Sequence, residues 1–169
     1  VKWTKGLILR KLAHKVAGIE IVPCPREQAS VLDQFNELCK EATKEIRIVN
    51  PSIILEDTIK RIIRECREKN LRMLILTKKQ DSYGGTSEKT LKDLSKMLRG
   101  IGELRVRRSI HAKFFIFDDE YVYITSANLT KGAYYNDEIG VVVSTEDAVK
   151  EAVDYFEELW HVAEPYTKS

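Results

Sequence analysis

Residues 109–128 read SIHAKFFIFDDEYVYITSAN. Two apolar, aromatic-rich runs flank Asp118-Asp119-Glu120. Aromatic and β-branched residues suit a pleated surface, and short acidic residues between them supply turn chemistry. SIHAKFFIF and YVYITSA are therefore predicted to be the two strands of a β-hairpin. Side chains two apart in a strand share a face, which pairs His111 with Lys113. Ser126 and Asn128 stand two apart where the second strand ends. Folding at the turn brings an imidazole, an ammonium, a hydroxyl and an amide to one point. Glu138, early in the next apolar run (137–144), can reach the same point. Such a set offers a nucleophile or base, positive charge and hydrogen-bond donors, which suits phosphate chemistry.

Outward from this hairpin the chain alternates. Short apolar strands are predicted at 19–22, 45–49, 71–77 and 103–108, the first stopped by Pro23-Cys24-Pro25. Helical periodicity covers 28–43, through Val31, Leu32, Phe35, Leu38, Cys39 and Ala42, and 57–69, through Ile59, Ile62, Ile63 and Cys66. A loop, 78–86, contains Gly84-Gly85, and Ser87 is placed to cap a helix through Leu91, Leu94 and Leu98. A last helix is expected over 146–162. Strand–helix alternation followed by a run of strands predicts an α/β fold: a mixed β-sheet flanked by helices, an α-β-α sandwich. Residues 1–18 are expected to form a basic amphipathic leader or linker helix, and residues 19–169 one domain.

Composition narrows the function. The 169 residues carry 28 Lys+Arg and 26 Asp+Glu, a net charge of +2, which argues against a protein that coats nucleic acid by bulk charge. The charge is uneven: residues 78–113 hold ten Lys/Arg against four acids, and the tail from Ser144 holds seven acids against two lysines. The middle of the chain is thus the side expected to face an anion. No apolar run approaches the length of a membrane span, and the basic start does not read as a secretory signal. The chain begins with Val, which points either to excision from a longer protein or to a missing leader, and leaves an upstream domain open. Cys24, Cys39 and Cys66 are odd in number and form no CxxC pair, which argues against a disulfide framework or a cysteine zinc site and fits a reducing cytoplasm.

The order His111-x-Lys113-x4-Asp118-x6-Thr125-Ser126-x-Asn128 resembles the HxKxxxxD(x6)GSxN signature of the phospholipase D superfamily, and Asn136-Asp137-Glu138 resembles its downstream acidic position. The likeness runs from about Ile19 to Trp160 and is greatest to small single-motif nucleases, with Thr125 where the pattern has Gly. It implies a catalytic set of His111, Lys113, Asp118, Ser126, Asn128 and Glu138, with no metal and no cofactor. His111 would attack phosphorus and form a phosphohistidine. Lys113 and Asn128 would hold phosphate oxygens, Ser126 would add a hydrogen bond, and Glu138 would orient His111. Asp118, at the hairpin tip, is expected to be structural more than chemical. A second histidine must protonate the leaving oxygen, and the family takes it from a second motif. His14 and His161 lack that context and are expected at the surface or an interface, so a homodimer is expected to complete the site.

The leading expectation is a metal-independent nuclease acting on nucleic acid. Arg105 and Arg107 share a strand face and are expected to line a phosphate track, with Arg108 and Lys78-Lys79 nearby. Tyr83, Tyr134 and Tyr135 fall in loops, where stacking on bases and ordinary packing are equally open. Two alternatives compete. One is a lipid phosphodiesterase, whose support is the basic amphipathic segment 6–17 that could lie on a membrane surface. The other is a non-catalytic ligand-binding or dimerisation module, against which the retained polar set speaks.

Overall fold

The computed structural model describes residues 18–24 and 31–167, with the backbone alone for 20–24. The leader helix expected within 1–18 lies outside the described residues, as do the side chain of Cys24 and His14. The described chain runs Ile19–Cys24 (β1), Val31–Glu41 (α1), Glu45–Val49 (β2), Asp57–Glu68 (α2), Arg72–Thr77 (β3), Glu88–Leu98 (α3), Gly102–Val106 (β4), Phe114–Phe117 (β5), Tyr121–Thr125 (β6), Glu138–Val143 (β7), Glu146–His161 (α4) and Glu164–Pro165 (β8). One mixed sheet has the order β1-β7-β6-β5-β2-β3-β4-β8. β2, β3 and β4 are parallel to one another, and β5, β6, β7 and β1 run antiparallel in succession from β2.

The strand pattern makes the layers. Ile46, Ile48, Met73, Ile75, Phe115, Phe117 and Tyr123 point to one face, where they form a core with α1, α2 and α3. Their sequence neighbours Val49, Leu74, Leu76, Phe114, Ile116 and Val122 point to the other, where Val149, Phe156, Leu159 and Trp160 of α4 cover them. Burial on both faces explains why β3 and β5 carry continuous apolar runs. Each helix obeys the same rule. α2 buries Ile59, Ile62, Ile63 and Cys66 at one-turn spacing, and the Ser87 side chain caps α3 by accepting from Thr90 N. Burial raises the Cys39 thiol well above its ordinary value and the Cys66 thiol to about 11, so both stay protonated and pack as small apolar groups.

Several strand ends differ from expectation, β4 among them, which ends at Val106 and not at Arg108. β1 continues through Pro23 to Cys24. Among the described residues it is the last strand of the sheet, with no ladder on its outer side, so proline is tolerated. The first hairpin strand begins at Phe114 and not at Ser109. Its partner β2 ends at Val49, opposite Phe114, and Asn50-Pro51 offers no continuing ladder to residues 109–113. His111 and Lys113 therefore stand in a lead-in segment just outside the sheet, although Lys113 O still accepts from Thr125 N. The two-residue β8, against Arg105 and Val106, is an addition too short to leave a pattern in the sequence.

Candidate active site

The topology collects the site on one edge. That edge holds the C-terminal ends of the parallel strands β2, β3 and β4, the start of β5, the end of β6 and the start of β7. In open α/β sheets, ligands bind outside the carboxyl ends of the strands. His111, Lys113, Ser126, Asn128 and Glu138 all lie here. His111 is exposed, and its ring makes no hydrogen bond among the described residues. Lys113 is half-buried and turns its ammonium onto His111 O at 3.2 Å.

The second strand of the hairpin builds the other wall. Ser126 Oγ donates to Glu138 Oε2 and accepts from Ile139 N at 3.1 Å, while Ser126 N donates to Ile139 O at 2.9 Å. Glu138 is thus committed to Ser126, and no hydrogen bond from His111 reaches it. Thr125, standing where the family pattern has Gly, uses its hydroxyl locally: Oγ1 donates to Ile139 O and accepts from Ala127 N. Next to it, Gly140 is required because any Cβ there would collide with the Tyr123 ring.

Asn128 is held by a residue the sequence analysis passed over. Asn50 is fully buried at the end of β2. Its Nδ2 donates to Ala127 O at 3.3 Å, and its Oδ1 accepts from Leu129 N at 3.3 Å and Ser52 N at 3.2 Å. One amide therefore fixes the backbone on both sides of Asn128. The available signal was a polar residue directly after an apolar strand, which reads equally as a strand stop. Asn128 Oδ1 itself is buried without a hydrogen bond. Either amide atom in that place is a polar group that a ligand atom would satisfy.

Of the other expected residues, Arg107 lies past the C-terminal end of β4, on this same edge. Asp118 is at the opposite edge, beyond the far end of β5. Its carboxylate accepts from Thr43 N (2.7 Å), Thr43 Oγ1 (3.0 Å), Lys44 N (2.8 Å) and Glu45 N (2.9 Å), tying the hairpin tip to the start of β2. Burial pulls its pKa upward, but the hydrogen bonds from Glu45, Thr43 and Lys44 outweigh this and hold it below the ordinary carboxylate value. Arg105 is taken up elsewhere: it bonds Glu103 at 2.7 Å and Trp160 O at 2.8 Å, and its guanidinium lies 4.7 Å from the Trp160 ring centroid. Arg107, just past β4, donates through Nε to Ser109 Oγ at 3.2 Å. His161 is exposed at the end of α4. Among the described residues no group of three or more His, Cys, Asp or Glu side chains could hold a metal, and no helix is long and apolar enough to cross a membrane.

The comparisons agree with this architecture. The phospholipase D family member Nuc from Salmonella typhimurium superposes with a TM-score of 0.72 at 18% identity, over 89% of this chain and 98% of that one. NucT from Helicobacter pylori gives 0.74 at 15% identity, over 88% and 98%. TrmBL2, an archaeal chromatin protein, gives 0.58 at 19% identity, over 96% of this chain and 63% of that one. No curated protein matches the sequence. The family described as cardiolipin synthase, PLD-like domain, matches residues 35–160, a span from α1 to the end of α4 that holds every member of the edge cluster. The chain belongs to this phospholipase D-like family.

Proposed function

We propose that the protein is a metal-independent phosphodiesterase that hydrolyses nucleic-acid phosphodiester bonds, with its active site completed in a homodimer. The observation that carries the reading is the gathering of His111, Lys113, Ser126, Asn128 and Glu138 on the carboxyl edge of the sheet, with the imidazole open to solvent. Nothing in that set is positioned to bind a divalent ion, and Lys113 can supply positive charge beside phosphate.

The chemistry follows from the groups. A neutral His111 nitrogen attacks phosphorus. The N–P bond forms as the P–O bond to the leaving group breaks, and the leaving oxygen takes a proton from His111 of the second copy. Water then attacks the phosphohistidine. It gives a proton to the second histidine and frees the phosphomonoester. Lys113 and the Asn128 amide offset charge on the phosphoryl oxygens, and Ser126 donates once a ligand draws it from Glu138. Glu138 is then free to fix the tautomer of His111 through its other ring nitrogen.

The test is an incubation of purified protein in EDTA with bis-p-nitrophenyl phosphate, single- and double-stranded nucleic acids, and phosphatidylcholine vesicles. Turnover of the diester and of nucleic acid is expected. Turnover of the lipid alone would overturn the assignment in favour of a lipid phosphodiesterase. Activity abolished by EDTA and restored by Mg²⁺ would overturn the metal-free mechanism.

A further inference from the structure

Two tyrosines stand on the site edge without a packing role. Tyr83 is 92% exposed at the tip of the loop between β3 and α3, and Tyr135 is 70% exposed on the connection from β6 to β7 that also carries Ser126 and Asn128. Tyr134 differs: it is half-buried, and its hydroxyl bonds Thr58 Oγ1. An aromatic ring left in water forgoes the stabilisation its burial would bring, so a fold that presents one rigidly invites the question of what covers it.

The loop bearing Tyr83 is built, not slack. Gln80 N donates to Thr86 O and Thr86 N to Lys78 O, and Asp81 and Gly84 exchange a pair of backbone bonds. Asp81 Oδ1 accepts from both Lys78 Nζ and Tyr83 N at 2.9 Å. Gly85 sits at φ 124°, and a Cβ there would lie 2.9 Å from the Gln80 backbone, so the return strand passes where only glycine fits. The base is rooted in the site. Thr86 Oγ1 lies 2.7 Å from Thr77 Oγ1 and accepts from Ile53 N, while Ile53 bridges to Leu129, the neighbour of Asn128. The tip is thus one chain of hydrogen bonds from the phosphate-holding residue. Exposed Arg108 lies near enough to Asp81 to act on its charge, so one arginine stands beside the loop, where Lys78 and Lys79 are paired with Asp81 and Glu88.

An exposed aromatic on a hydrogen-bonded loop, with Arg108 close by, at a site for phosphodiesters, meets the requirements of a strand whose bases are free. Phosphates follow the cations while an unpaired base stacks on the ring. A duplex offers its phosphates but keeps its base faces inside the stack. We propose that Tyr83 is a base-stacking residue that makes single-stranded nucleic acid the preferred ligand of this site, an inference that rests on the nucleic-acid reading above.

The test is binding by fluorescence anisotropy, with His111→Ala as the parent and EDTA present so that the probe stays intact. The probes are a fluorescein-labelled oligodeoxythymidine of about 12 nucleotides, within the range of single-strand sites, and a duplex of equal length. The parent should bind the single strand more tightly. Adding Tyr83→Ala should weaken single-strand binding about 5- to 100-fold, the usual range for loss of one stacked base, and collapse the ratio to duplex. Tyr83→Phe should restore it, because the ring and not the hydroxyl stacks. A ratio unchanged by Tyr83→Ala, no rescue by Phe, or no single-strand binding at all would overturn the proposal. So would a fall in oligomeric mass on Tyr83→Ala, which would make the tyrosine a subunit contact. Tyr83-dependent binding without any cleavage by wild type would remove the nuclease reading and leave this one standing, and cleavage without Tyr83 dependence would do the reverse.

Discussion

The His111 ring is exposed and makes no hydrogen bond among the described residues, so replacing it should leave the fold alone and act on chemistry. His111→Ala is expected to abolish turnover of bis-p-nitrophenyl phosphate with an unchanged thermal midpoint. Lys113→Ala should lower kcat by about 10²–10³, the usual effect of losing one preorganised donor. A wild-type rate in either variant would show the motif to be idle. Asp118 behaves differently because it bonds backbone N–H groups 73–75 residues away. Its depressed pKa means that the stabilisation is present above the unfolded value and is lost as pH falls through the folded one. Asp118→Ala should therefore lower stability by about 1–2 kcal/mol at pH 7, kept small by partial solvent access, and the gap from wild type should close in acid. Urea midpoints at pH 7 and pH 3 check this, and a gap of equal size at both would refute it.

At the scale of elements, the loop between β3 and α3 and the cap that follows it give a graded series. At Gly84, φ is 100° with nothing within 4 Å of an added Cβ, so Gly84→Ala bears only the backbone penalty, about 1 kcal/mol. At Gly85 the backbone penalty and the steric clash act together, and Gly85→Ala should cost more, about 2–3 kcal/mol. Ser87→Ala removes the cap of α3 and should cost about 1 kcal/mol. Chemical denaturation of the three variants should rank Gly85 as the most damaging. The sequence marked this region as loop then cap because Gly-Gly and Ser are local signals. The buried pair Thr77 and Thr86 escaped, because Thr77 ends an apolar strand and only the fold brings Thr86 to it. Asn50 escaped for the same reason, since its partners Ala127 and Leu129 lie 77 and 79 residues away.

For the whole molecule, the count of histidines sets the expectation. The proposed mechanism needs two imidazoles at one phosphorus, and the edge cluster supplies one. A two-fold axis beside His111 would bring in its mate. Co-refolding wild type with His111→Ala should give activity that follows the square of the wild-type fraction, about a quarter at equal mixing. A linear fall to about half would mean that each chain holds a complete site. The rate should also pass through a maximum with pH, since one imidazole must be neutral while the other is protonated, and the two limbs belong to the coupled pair. A rate rising steadily into alkali would count against two histidines.

The sequence alone determined the layer order, the hairpin at Asp118–Glu120 and the identity of the edge cluster, because each rests on local information: period-two and helical apolar patterns, turn residues, and a motif of fixed spacing. Tertiary structure decided what those residues do to one another. It tied Asp118, expected at the hairpin tip, to Thr43, Lys44 and Glu45, because the start of β2 arrives beside the far end of β5. It turned Arg105 onto Trp160, because α4 returns over the face that this side chain shares. It assigned Tyr134 to packing and left Tyr83 in solvent, since burial depends on which distant element arrives above a loop. These outcomes depend on pairings far apart in the chain, which no local pattern encodes.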